Sequence, residues 1–155
     1  LMRYTAMRAG EVRALPLTRI QNEIHIADCV EANYKVKSRK EAYLPILPEL
    51  KPFLDNDLAQ RNPNEKWYLD NGNGKIHWAS VGEMSRPFKK MCDFLGIKGV
   101  KPLHGFRSTA ISNLLDNGVS PRIVQALARH EKIETTMGYH NDTNLQIAPQ
   151  ITGLI

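Results

Sequence analysis

The chain has 155 residues, 42% of them hydrophobic and 24% charged, with no internal repeat or low-complexity segment; these are the proportions of one ordinary globular domain with a real core. Lys and Arg total 21 against 16 Asp and Glu, for a formal net charge of +5, a bias toward an acidic partner of which nucleic acid is the commonest. No run of about 18 apolar residues and no signal-peptide pattern is present, so nothing reads as a membrane span or an export signal.

In chain order, LMRYTAM looks like a helix already in mid-course, and with no initiator methionine the sequence reads as a fragment of a longer protein. Ala9-Gly10 suggests a turn, after which GEVRALPL resumes a short helical turn that Pro16 should end. Residues 23–27 alternate apolar and polar and predict a strand. A loop from Cys29 to Asn33 leads to a second strand over 34–37, a polar turn at 38–41 and a third strand over 42–46. Short sequential strands with short connections predict an antiparallel meander. Leu50, Phe53, Leu54 and Leu58 recur at helical spacing across 49–60. Asn62-Pro63-Asn64 reads as a turn, Trp67-Tyr68-Leu69 as a buried segment and Asn71-Gly72-Asn73-Gly74 as a flexible loop. Ser80 with Glu83 is a capping box that opens a helix through Leu95, with Gly96 as its stop. After a loop over 98–102, residues 104–117 predict a helix ended by Gly118. Ser120-Pro121 starts another, running to about Ala128. A short helix or turn holds Thr135 to Tyr139, and the last 15 residues form a tail. The fold class is α+β: mostly helical, with a small three-stranded antiparallel sheet packed on a helical bundle, as a single domain over residues 1–155.

Several side chains could carry chemistry. His104 and Arg107, three apart, share one face of a helix. His130 precedes Tyr139 by nine residues, with Thr135-Thr136 between them. Two imidazoles, a phenol and a guanidinium suit the binding and attack of a phosphate. Each residue also has a plain structural reading: a helix-entry histidine, a surface arginine, a packing tyrosine, and in Arg8 a solvated charge beside a turn. The glycine-asparagine loop at 71–74 lacks the helix start, lysine and hydroxyl of a phosphate-binding loop. His25 and His77 have no partner residues and read as structural or surface histidines. Cys29 and Cys92 are far apart, without metal-ligand spacing, and read as reduced thiols of a cytosolic protein or as one disulfide. No HExxH, CxxC or carboxylate cluster suggests a metal.

Order and spacing together add a resemblance. TAMRAGE from Thr5 to Glu11, KSRKEAYLPI from Lys37 to Ile46, HGFRST from His104 to Thr109, LARH from Leu127 to His130 and TTMGY from Thr135 to Tyr139 resemble, in that order, the motifs of the tyrosine recombinases, or phage integrases. The resemblance covers nearly the whole chain. It departs from the family pattern at Ala6 and Arg129, where glycine is usual, at Phe106, where leucine is usual, and at Ser108, which replaces a second histidine. Pro45-Ile46 sets the register that selects Lys37 as the hairpin lysine over its rivals Lys35 and Lys40.

The resemblance implies the catalytic domain of such an enzyme, without its N-terminal DNA-clamping domain, and site-specific recombination or integration of double-stranded DNA. It implies a catalytic set of Arg8, Lys37, His104, Arg107, His130 and Tyr139, with no metal and no cofactor. Tyr139 would attack phosphorus to form a 3′-phosphotyrosyl link, Arg8 and Arg107 would clamp the phosphate, and His130 would donate to it. His104 would serve as the base and Lys37 would protonate the leaving 5′-oxygen. The tail from Asn141 to Ile155 resembles the segment that family members pack on a neighbouring protomer, which implies a tetramer on DNA and a monomer without it. A cytoplasmic, nucleoid-associated setting of bacterial or phage origin follows from the same resemblance. A type IB topoisomerase-like relaxing activity and an inactive DNA-binding relative are the alternatives.

Overall fold

The computed structural model describes residues 1–139, so the expectation for the tail over 141–155 lies outside the described residues. Two very short helices open the chain, α1 (Met2–Thr5) and α2 (Ala9–Arg13), followed by a 3-10 turn at Leu17–Arg19. The break between them falls at Ala6, whose backbone is left-handed at φ 50°, and Ala9-Gly10 belongs to α2 instead of forming the expected turn. Glu11 produces this start: its carboxylate accepts the Arg8 backbone N–H at 2.6 Å, satisfying a donor that the first turn of a helix leaves unpaired.

The sheet has two strands, not the expected three. β1 (Glu23–Ile26) pairs antiparallel with β2 (Ala42–Pro45), Glu23 opposite Pro45 and Ile26 opposite Ala42. The segment proposed as the middle strand contributes one isolated bridge, Tyr34 to Cys29, and otherwise stays in the long β1–β2 connection. The cause is local. The Cys29–Tyr34 bridge closes a tight turn through left-handed Asn33, and Asp28 takes the Val36 N–H at 2.7 Å, so the Tyr34 and Val36 N–H groups bond within the loop instead of to a neighbouring strand.

The rest is helical: α3 (Lys51–Ala59), α4 (Val81–Phe94), α5 (Pro102–Asp116), α6 (Pro121–Ala128) and α7 (Ile133–Met137). Ser80 caps α4 by accepting the Glu83 N–H. α5 begins two residues before the expected start because Pro102, with no N–H to satisfy, takes the first helical position; His104 therefore lies inside its first turn. The glycine-rich loop after Asp70 is also more organised than expected, since the Asp70 carboxylate accepts backbone N–H groups from Gly72 and Gly74.

Two apolar clusters set the layout. One gathers Met7, Val12, Leu15, Ile24, Ile26, Leu44, Leu54 and Met84, joining the N-terminal helices and the sheet to α3 and α4. The other joins α5 to α6 through Ile111, Leu115, Val124 and Ala128, and takes in Ala6 from the first turn of the chain. Burying a side chain such as Ile111 or Val124 completely is worth about 1.5–3 kcal/mol. The contact with Ala6 places the start of the chain beside its last helices. Both cysteines are free thiols, Cys29 in a small cluster with Ala14, Ala32 and Trp67. Among the described residues no helix is long and apolar enough to cross a membrane.

Arg13 ties the β1–β2 connection to this frame. Its buried guanidinium donates to the carbonyls of Ala32 at 2.7 Å and of Trp78 and Ala79 at 3.3 Å each. Arg13→Met should fill most of the space while leaving those acceptors unpaired, and is expected to cost about 2–3 kcal/mol, measured as a fall in urea midpoint at constant m-value. A loss below about 0.5 kcal/mol would show that the clip does not hold the loop.

Candidate active site

All six residues of the expected catalytic set line one cleft of about 920 Å³: Arg8, Lys37, His104, Arg107, His130 and Tyr139. They come from five places in the chain: the entry to α2, the β1–β2 connection, the first half of α5, the α6–α7 turn and, after Gly138, the segment that follows α7. Lys37 is exposed in the connection rather than in a strand, and it faces the cleft where its rivals Lys35 and Lys40 do not. His25 and His77 lie elsewhere: His25 bonds Glu41 and stacks on Tyr43, and His77 packs edge-on against Trp78.

Arg107 is the innermost of the set, 4% exposed on α5. One terminal nitrogen donates to the Ala6 carbonyl and the other to the Ala128 carbonyl at 2.6 Å. A guanidinium has five N–H donors, so these two bonds leave capacity for an anion in the cleft. Burial, then the nearby Arg8 and Arg129, push its pKa down to about 10, and it remains a cation at neutral pH. Arg8 donates to the Glu11 carboxylate at 3.2 Å and to the Arg129 carbonyl at 3.2 Å.

Tyr139 follows α7 and is anchored by its own backbone, its carbonyl accepting from the Ser112 hydroxyl at 3.0 Å. Its hydroxyl lies 3.3 Å from His104 Nε2, and its ring stacks on His130 with centroids 5.9 Å apart and planes inclined by 12°. His104 has its pKa lowered by partial burial and by Arg107 and Lys101. His130 falls from the ordinary 6.5 to about 4 through burial first and then the surrounding cations, led by Arg107 and Arg8. Both rings are therefore neutral at pH 7.

Two residues to which the sequence reading gave no role belong to the same arrangement. Glu11 was visible only as the end of TAMRAGE; its side chain is completely buried and is shared by Arg8 and Arg129, whose terminal nitrogen lies 2.5 Å from Oε2. Arg129 puts bulk and charge next to His130. Its charge is taken up by Glu11, another of its nitrogens bonds the Leu127 carbonyl at 3.0 Å, and its backbone is left-handed at φ 55°. Ala6 is left-handed as well. The two places where the chain departs from a usual glycine are thus the two where a glycine backbone would be least strained. Lys89, Lys101 and Lys132 complete a largely positive wall, on which Glu131 is the only carboxylate among the described residues. Such a surface attracts a polyanion.

The helical α+β fold is shared with solved recombinases. The chain superposes on the Tn1549 transposon integrase in complex with a circular intermediate DNA with a TM-score of 0.78, at 13% identity over 99% of this chain and 56% of that one. On the XerA recombinase the TM-score is 0.67, at 22% identity over 97% of this chain and 54% of that one. A tyrosine recombinase of Pseudothermotoga lettingae is 32% identical over 103 residues, covering 66% of this chain and 35% of its own length. The profile of the phage integrase family matches residues 1–145, and the chain belongs to that family. It spans about a third of the length of the curated relatives it matches.

The histidines give a stability signature. The unfolded chain protonates His130 near its ordinary 6.5, while the folded chain resists until about 4. Between those values the unfolded state holds more protons, so acid favours unfolding; above 6.5 the contribution is fully present. Unfolding free energy should therefore decline as pH falls from 6.5 toward 4, and His130→Gln should flatten that decline. Parallel pH profiles for wild type and variant would contradict the assignment.

Proposed function

We propose that this chain is the catalytic part of a site-specific DNA recombinase that cuts and rejoins strands through a 3′-phosphotyrosyl intermediate. The observation that carries the reading is the Tyr139 hydroxyl at 3.3 Å from His104 Nε2, in a cleft lined by Arg8, Arg107 and Arg129. A free phenol titrates at about 10, so attack at neutral pH needs a base within hydrogen-bond reach, and His104 Nε2 has that position.

In the proposed reaction the Tyr139 oxygen attacks phosphorus as His104 takes its proton. The phosphorus–tyrosine bond forms and the bond to the 5′-oxygen breaks. Charge gathers on the non-bridging oxygens, where Arg8, Arg107 and His130 donate hydrogen bonds. Guanidinium suits this task because it is charged at any working pH and can present two parallel donors to one phosphate. Lys37, exposed on the long connection, supplies the proton to the departing 5′-oxygen. A 5′-hydroxyl from a second strand then attacks the phosphotyrosine by the reverse path. The ester conserves the bond energy, so resealing requires no nucleotide hydrolysis.

The biological role follows as part of the same proposal: duplex DNA as substrate, strand exchange between two sites, and assembly of several protomers on DNA. The positive cleft wall supports the first of these.

A duplex nicked close to the cleavage point traps the covalent step, because the short fragment released cannot return to reseal it. The protein should form an adduct that survives a denaturing gel, and Tyr139→Phe should form none. An adduct persisting in Tyr139→Phe would remove Tyr139 as the nucleophile.

A further inference from the structure

Of the Thr135-Thr136 pair, Thr135 is exposed on the cleft wall, whereas Thr136 is completely buried. A buried hydroxyl needs an acceptor for its proton. Among the described residues, the one hydrogen-bond partner of Thr136 Oγ1 is His130 Nδ1, at 2.9 Å. The backbone holds the two in place: His130 N–H donates to the Gln125 carbonyl at 3.1 Å, Gln125 Nε2 donates to the His130 carbonyl at 3.1 Å, and Thr136 sits on α7.

We propose that Thr136 is a positioning residue: its hydroxyl donates to His130 Nδ1 and thereby keeps the ring proton on Nε2. A neutral imidazole has one donor and one acceptor nitrogen, and the bond made by one decides the role of the other. With the proton on Nε2, His130 offers a donor to a phosphate oxygen. With the proton on Nδ1, Nε2 would present a lone pair and repel that oxygen. The choice matters because His130 is neutral at working pH, so it does not have both nitrogens protonated as an imidazolium would. The inference rests on the proposed role of His130 as a phosphate donor.

Thr136→Val removes the hydroxyl while keeping the branched shape, and Thr136→Ser keeps the hydroxyl. Long-range ¹H–¹⁵N correlation of the His130 ring at pH 7.5 should show Nε2 protonated in wild type and in Thr136→Ser, and a mixture of tautomers in Thr136→Val. Single-turnover cleavage of the nicked duplex should slow about tenfold in Thr136→Val with unchanged DNA affinity, and by less than about threefold in Thr136→Ser. A wild-type ring protonated on Nδ1 overturns the proposal, as does an unchanged cleavage rate in Thr136→Val when His130→Ala is impaired. If Thr136→Val does not fold, the wild-type spectrum decides. Full cleavage by His130→Ala would instead overturn the phosphate-donor role, leaving the tautomer to be judged by the spectrum.

Discussion

The site depends on one buried guanidinium. Arg107 projects from α5 between two turns that lie far apart in the sequence, and it donates to a carbonyl in each: Ala6 after α1 and Ala128 at the end of α6. Placing a cation at 4% exposure is costly unless its donors are met. These carbonyls meet part of that demand without neutralising the charge, so Arg107 reaches the cleft as a held cation. Each turn carries a left-handed residue at that point: Ala6 itself in one, and Arg129, which follows Ala128, in the other. Arg8 stands beside the first turn and His130 beside the second, so fixing the turns fixes both.

Around this centre the charges are unequal by design of the cluster. Glu11 is the single carboxylate buried within the group, and it serves both Arg8 and Arg129. Arg107 receives no carboxylate among the described residues. The surplus is positive and faces the cleft, which favours a phosphate and disfavours protonated histidines. Burial first, and then the same field that prepares the cleft for an anion, hold the His104 and His130 pKa values down. Tyr139, stacked on one histidine and within reach of the other, lies where both effects meet.

Much of this was legible in the sequence, for identifiable reasons. The larger helices followed from apolar spacing, the Ser80 cap and the Ser120-Pro121 start, all local signals, whereas the start of α5 at Pro102 was read as loop. The grouping of the six cleft residues was legible only through a resemblance, because no local rule brings Arg8 next to His130. The third strand failed because Cys29 and Tyr34 pair with each other and Asp28 takes the Val36 N–H, local bonds that an alternating pattern does not reveal. The Ala9-Gly10 turn failed because Glu11 starts a helix there, while the real break uses an alanine in a glycine-like conformation. Pro87 would ordinarily interrupt a helix, yet α4 runs through it. The pairing of Arg129 with Glu11 was not legible because the two lie 118 residues apart. Thr136 was seen as part of a motif, but its burial and its bond to His130 are tertiary facts.

The central claim is that Arg107 both joins the two turns and presents a cation to the substrate. Arg107→Lys separates charge from geometry, since a lysine keeps the charge but cannot span two carbonyls and a phosphate in one plane. The decisive measurement is the single-turnover cleavage rate of this variant on nicked DNA, taken beside its DNA affinity and its urea midpoint. The account predicts a lower midpoint and cleavage slowed by at least about a hundredfold, with DNA still bound. A variant as stable as the wild type and cleaving at its rate would contradict it.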